Sequence, residues 1–156
     1  MITFGPDGAY GHPDHIAIGQ LTTAAIACAA DCSYGSSADV EPHRVSKLYF
    51  IAWSGRKWDA YQAALRKLVV KVDGQERQAV PWADWALTTV IDTSAVWPAV
   101  WRAVSCHRTQ MTIYRQLEAL SEEHQRSLWG TQEFYRVFST VNGGRVRETD
   151  LFEGLR

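Results

Sequence analysis

Gly5-Pro6-Asp7-Gly8-Ala9-Tyr10-Gly11-His12-Pro13-Asp14-His15 runs straight into an apolar segment from Ile16 to Ala30. Three glycines and two prolines in eleven residues specify a loop of fixed shape, because glycine supplies positive φ or close backbone approach and proline fixes φ. Ile2 to Phe4 upstream reads as a short buried strand and the residues from His15 onward as a helix. Strand, shaped loop and helix in that order are the unit of an α/β sheet. The loop holds two imidazoles and a carboxylate at the helix mouth, a concentration of chemistry found nowhere else in the chain.

Length and composition bound what surrounds this unit. The 156 residues, 46% hydrophobic, suit one globular domain with a real core. A formal charge of −1 and the absence of a Lys/Arg run argue against nucleic acid as a partner. Cys28, Cys32 and Cys106 are odd in number and lack paired zinc-site spacing, so they read as buried thiols in a reducing, cytoplasmic setting. The segment Ile16 to Ala30 is interrupted by Gly19, Gln20, Thr22 and Thr23 and falls short of the roughly 20 apolar residues that span a bilayer. It is expected to be a buried helix, and the N-terminus has no secretory signal pattern.

Further helices are expected around Trp58, Tyr61, Leu65 and Leu68, around Val96, Val100, Ala103 and Val104 behind a Ser94 cap, and around Met111, Tyr114, Leu117 and Leu120. All read as one-sided and should pack on a sheet. Strands are expected at Leu48 to Trp53, Leu68 to Val72, Leu87 to Ile91 and Phe134 to Ser139, with hairpins at Asp73-Gly74 and Asn142-Gly143. The whole is α/β with an added antiparallel part. A parallel strand at Ile2 to Phe4 needs a neighbour on either side, which points to structure preceding it.

The chemistry of the loop can be read before any comparison. His12 precedes proline and is pushed out of the helical region, so His12 and His15 have different tasks despite their spacing. His15 lies in the first helical turn, where the positive end of the dipole disfavours imidazolium and keeps a neutral ring available to a metal. Asp14 stands at the N-cap position and, as an acceptor beside two imidazoles, could fix a tautomer.

Gly-Pro-Asp-Gly-x-Tyr-Gly-His-Pro-Asp-His opening an apolar helix resembles the second signature of the PIG-L/LmbE family of zinc-dependent N-acetylglucosamine de-N-acetylases. Lys47-Leu48-Tyr49-Phe50 and Ala103-Val-Ser-Cys-His107-Arg-Thr-Gln110 resemble two later segments of that family, in the same order. The resemblance implies a Rossmann-like sheet with flanking helices and added hairpins, spanning 1–156 as a single deacetylase-like domain. It implies that His15 binds zinc, that His12 steadies the oxyanion, that Asp14 supports His12 and that Tyr10 contacts an N-acetylated amino-sugar substrate. The family's first signature, a His-Pro-Asp-Asp-like loop, has no counterpart here, so the chain is expected to lack the family's N-terminal strands and most of its metal site. A non-catalytic or partner-dependent piece is the alternative.

Other chemistry-bearing residues read as structural. His43, His107 and His124 have no ligand spacing, and His107 reads as a helix brace. The pairs Trp82/Trp85 and Trp97/Trp101 read as packing residues, with Trp82 alone kept as a sugar-stacking candidate. Cys28 and Cys32 read as core, and Glu118, Glu122 and Glu123 as a solvated helix face.

Overall fold

The computed structural model describes residues 1–34, 41–65, 69–72, 74–111, 115–144 and 146–156. β1 (Ile2–Phe4) leads through the short turn α1 (Gly8–Gly11) into α2 (Pro13–Ala30); β2 (Lys47–Ile51), α3 (Gly55–Leu65) and the hairpin β3 (Val69–Val72) and β4 (Gln75–Gln78) follow. Then come β5 (Thr89–Asp92), α4 (Trp97–Ser105), α5 (Arg108–Met111), α6 (Glu122–Trp129) and β6 (Thr131–Ser139). The architecture is mixed α/β.

The four-stranded sheet has the order β1-β2-β6-β5, with β1 parallel to β2 and β6 antiparallel to both its neighbours. The last strand of the chain therefore lies inside the sheet, a placement that the order of elements along the sequence did not announce. The hairpin expected at 73–74 forms, Val72 pairing with Gln75, although Asp73 itself lies outside the described residues. The one expected at Asn142-Gly143 does not. Asn142 instead bonds back to Ser139, and beyond it Glu148 makes a single parallel bridge to Thr89.

That return buries Glu148, 1% exposed, beside β5, with its carboxylate directed to side chains of β2, β5 and β6. Its carboxylate accepts hydrogen bonds from Lys47 Nζ (2.7 Å), Tyr49 Oη (3.0 Å), Thr89 Oγ1 (2.6 Å) and Asn142 Nδ2 (2.6 Å), and pairs with Arg136 at 2.8 Å. Burial alone would raise this carboxyl, but the donors outweigh it and hold the group down at about 2.

The helices divide differently from the expectation that all pack on the sheet. Leu117, Leu128 and Trp129 form a buried cluster with Tyr61 of α3 and with Trp97, Val100, Trp101 and Val104 of α4, so α3, α4 and α6 pack chiefly on one another. Trp97 and Trp101 are packing residues, as read. Ser94 does not cap α4, whose N-cap is Val96; the Ser94 N–H is bonded to Asp92 instead. Of the fourth expected helix, Met111 ends α5 and Leu117 lies in a 3-10 turn at Arg115–Leu117, while Tyr114 lies outside the described residues. α6 begins at its own cap, Ser121, with Glu122 and Glu123 in the first turn.

The largest departure is α2. It was expected to be buried, yet Gly19 is its one buried residue, and Ile18 and Leu21 are 47% and 65% exposed. The helix touches β1 closely only because residue 19 is glycine: a Cβ there would stand 2.5 Å from the Phe4 carbonyl oxygen. The thiols follow the same pattern, Cys32 and Cys106 being exposed and Cys28 half-buried, so they are not core residues. No described helix is long and apolar enough to cross a membrane.

Glu148→Gln should leave Lys47 and Arg136 as unneutralised buried cations and cost about 3–5 kcal/mol in urea unfolding. The acid dependence has a definite sign. A carboxyl held at about 2 when folded, against an ordinary 4.5, stabilises fully above pH 4.5 and ceases to do so as the pH falls toward 2. Urea midpoints measured from pH 6 down to pH 3 should fall for the natural chain and fall less steeply for Glu148→Gln.

Candidate functional site

β1 and β2 are parallel and end on the same side, and the loop Gly5–His12 leaves β1 at that side, where open α/β sheets place their ligands. The loop is cross-braced by Gly8 N–H to Gly5 O (3.0 Å) and Gly11 N–H to Asp7 O (2.8 Å). Its path needs positive φ at Gly8 (58°), Ala9 (65°) and Gly11 (77°). Ala9, at ψ −53°, carries a strained conformation that L-residues rarely hold.

This path delivers four aromatic rings to one place. The His15 ring lies flat on Phe4, centroids 3.8 Å apart and planes 4° from parallel, while Tyr10 meets it edge-on at 5.2 Å and His12 lies 4.8 Å away. His15 Nδ1 is 3.2 Å from the Gly8 carbonyl oxygen. That oxygen can only accept, so Nδ1 carries the proton and Nε2 presents its lone pair, the arrangement a metal-binding imidazole uses. Burial lowers the His15 pKa below 6.5, the Gly8 bond opposes it, and the neighbouring His12 lowers it further.

His12, not Asp14, is the N-cap of α2. At φ −70° and ψ 125° it is extended, as the following proline requires, and its Nδ1 accepts from the Asp14 N–H at 3.2 Å. The Asp14 carboxylate is 4.0 Å from the same nitrogen and 88% exposed. Asp14 thus orients His12 chiefly through its backbone. A neutral His12 then keeps its proton on Nε2 and presents a donor.

Asp7, to which the sequence assigned no role, braces the loop. Its Oδ2 accepts from Trp82 Nε1 (3.0 Å), tying the loop to the segment after β4, and its Oδ1 is buried without a hydrogen-bond partner. A crevice of about 10 Å³, room for a single water, lies there between Asp7, Ala9, Trp53, Trp58 and Trp82. Nothing in the spacing of the sequence joins residues 7 and 82. Trp82 is thus a tether for the loop, and Trp85, the other half of that pair, is 86% exposed and not a packing residue.

The side chains of two of the remaining histidines are engaged elsewhere. His107 Nδ1 lies 3.2 Å from the carbonyls of Ala103 and Val104, bracing the end of α4, and His124 pairs with Ser121 Oγ at 2.7 Å. His43 donates its backbone N–H to Ala29. Among the described residues no group of three or more His, Cys, Asp or Glu side chains could hold a metal ion. The residues present fit one ligand position, at His15, and do not make a complete metal site.

Sequence comparison finds relatives of one named class over 99% of the chain. The chain is similar to the 1D-myo-inositol 2-acetamido-2-deoxy-alpha-D-glucopyranoside deacetylases of Rhodococcus jostii (34% identity), Kineococcus radiotolerans (35%) and Streptomyces griseus (34%). The match takes in 54%, 46% and 49% of those proteins, so the chain spans about half the length of the curated relatives it matches. No family model matches the chain. The resemblance to PIG-L/LmbE de-N-acetylases read from the loop holds in these relatives, which are named deacetylases.

Gly8→Ala would force a Cβ to 2.7 Å from Ile16 Cγ1 at a positive φ, costing about 1–3 kcal/mol and displacing the carbonyl that holds His15. In ¹H–¹⁵N spectra of the natural chain, His15 should appear as the Nδ1–H tautomer and titrate below 6.5. The Gly8→Ala variant should lose that tautomer preference.

Proposed function

We propose that this chain is the part of a PIG-L/LmbE-type, zinc-dependent N-deacetylase that carries the His-Pro-Asp-His loop. Its substrate is an N-acetylated amino-sugar small molecule and its product acetate. The observation that carries the reading is His15: a neutral ring seated on Phe4, tied through Nδ1 to Gly8 and presenting Nε2. The named activity of the relatives supplies the substrate class.

Zinc, when bound, supplies an activated water and polarises a carbonyl. Among the described residues His15 is the one group suited to hold it, against the three protein ligands of a catalytic zinc, so no step is routed through the metal here. The roles of the chain's own residues follow from their protons. His12, with Nδ1 engaged by the Asp14 N–H, offers Nε2–H to an oxygen that gains negative charge as the acetamide carbonyl becomes tetrahedral. Tyr10, edge-on to both imidazoles, borders the place the acyl group would occupy and contacts substrate.

In the same reading 1–156 forms a single deacetylase-like domain, and the thiols suit a cytoplasmic setting. A partner-dependent or non-catalytic piece is the second reading. It is favoured by the lack of any three-ligand group among the described residues.

Metal analysis after dialysis should find well under one zinc per chain, since affinity follows ligand number and geometry. Acetate release from an N-acetylglucosaminyl-inositol substrate should be absent for the chain alone. It should appear, dependent on zinc, when the chain is joined to the portion of the Rhodococcus jostii deacetylase outside the matched stretch. In that joined protein His15→Ala should lose metal and activity together, whereas His12→Ala should lower turnover about 10²–10³-fold with metal retained. Zinc-dependent turnover by the short chain alone would overturn the reading that its site is incomplete.

A further inference from the structure

Arg77 of β4 lies against the loop that carries His12. A Cβ on Gly11 would stand 3.3 Å from Arg77 Cβ and 3.2 Å from Arg77 Cδ, so the aliphatic stem of Arg77 passes over the residue directly before His12. A side chain at position 11 would crowd that stem, and the φ of 77° there favours glycine as well. The contact belongs to a wider one. α1 packs against both β3 and β4, and Tyr10 packs with Trp58 and with Ala79, the residue after β4.

The head of the same side chain is not engaged. Arg77 is exposed, and its guanidinium makes no hydrogen bond or ion pair with a described residue. The acids of the loop are directed elsewhere: the Asp14 carboxylate lies 4.0 Å from His12 Nδ1, and Asp7 Oδ2 accepts from Trp82. Arginine commonly lays its stem on a surface and keeps its charge in water. Here the surface is the loop itself, so a cation is held at the rim of the site with part of its ordering cost already met. Its planar fork matches a carboxylate or phosphate through two parallel bonds.

The chemistry of the sugar gives that cation a task. In a 2-acetamido-2-deoxyglucopyranoside the acetamide on C2 and the glycosidic substituent on C1 stand on adjacent carbons. When the acetamide oxygen faces His12, the C1 substituent falls beside the loop residues next to His12, where Arg77 is seated. We propose that Arg77 is a specificity-determining residue that reads the C1 substituent and selects substrates in which it bears a phosphate or carboxylate. The inference rests on the deacetylase reading for the sugar and adds the charge of the group attached to it. The relatives named above are deacetylases of an inositol glycoside, which is uncharged, so this preference would set the chain apart from them.

The probes are N-acetylglucosamine, its 1-phosphate, its 6-phosphate and inorganic phosphate. Each is titrated at low salt into the ¹⁵N-labelled 156-residue chain while the Arg77 Nε–Hε signal and the His12 and His15 ring signals are followed. The 1-phosphate should bind at least tenfold tighter than the neutral sugar and the 6-phosphate, move both sets of signals, and lose its advantage at high salt. Arg77→Gln should abolish that advantage and Arg77→Lys keep part of it, with unchanged far-UV circular dichroism. Arg102→Gln, at an exposed cation of α4, should change nothing. In the protein joined to the remaining portion of the Rhodococcus jostii deacetylase, Arg77→Gln should raise KM for the 1-phosphate at least tenfold and leave kcat within about twofold.

Equal affinity for the two sugar phosphates overturns the proposal, as does a 1-phosphate advantage that survives Arg77→Gln. Inorganic phosphate binding as tightly as the 1-phosphate overturns it too, because the site then takes any free anion. So does the absence of binding by every probe to both the chain and the joined protein. An Arg77-dependent preference in a joined protein that never releases acetate keeps the anion site and removes the deacetylase reading. Acetate release with no preference for the charged sugar does the reverse.

Discussion

The Glu148 carboxylate is the point on which the sheet depends. It takes donors from β2 through Lys47 and Tyr49, from β5 through Thr89, from β6 through Arg136, and from the following turn through Asn142. Three strands that are far apart in sequence are thereby fixed in register by one anion. Two cations meet a single carboxylate there, so the cluster is stable only with every donor in place. Lys57 is a lesser version of the same device. Burial lowers its ammonium to about 8 against the opposing pull of Glu133, and it donates to the Thr131 carbonyl at the start of β6.

With the sheet fixed, the loop after β1 can hold side chains in positions that flexible chain would not keep. Ala9 and Gly8 hold positive φ, Gly8 offers its carbonyl to His15, and Trp82 anchors Asp7 from the segment after β4. His12 and His15 then differ in function because each spends Nδ1 on a different kind of partner. His15 donates it to a carbonyl, and His12 accepts at it from an N–H. One ring presents a lone pair and the other a proton.

The local part of this was legible in the sequence. The glycine and proline spacing located the loop, the apolar runs located β1, β2, β5 and β6, and the residue before Pro13 had to be extended. What could not be read were relations between distant residues. Glu148 lies 101 residues from Lys47, and no periodicity marks such a pair. Asp7 and Trp82 are equally remote. The exposure of α2 escaped for a different reason: apolar periodicity reports that a face wants cover, not that cover is present. The cap of α2 was misplaced by two residues because an imidazole, His12, performs the task usually given to a carboxylate or hydroxyl.

The position of β6 inside the sheet has a consequence for how the protein is made. β2 has no antiparallel neighbour and β5 no strand to join until residues 131–139 are available, and the Glu148 anchor follows later still. On the ribosome, residues 1–130 therefore emerge before β2 and β5 can pair with β6. Nascent β2 must wait with its apolar strand uncovered, an interval in which chaperone contact decides between folding and aggregation.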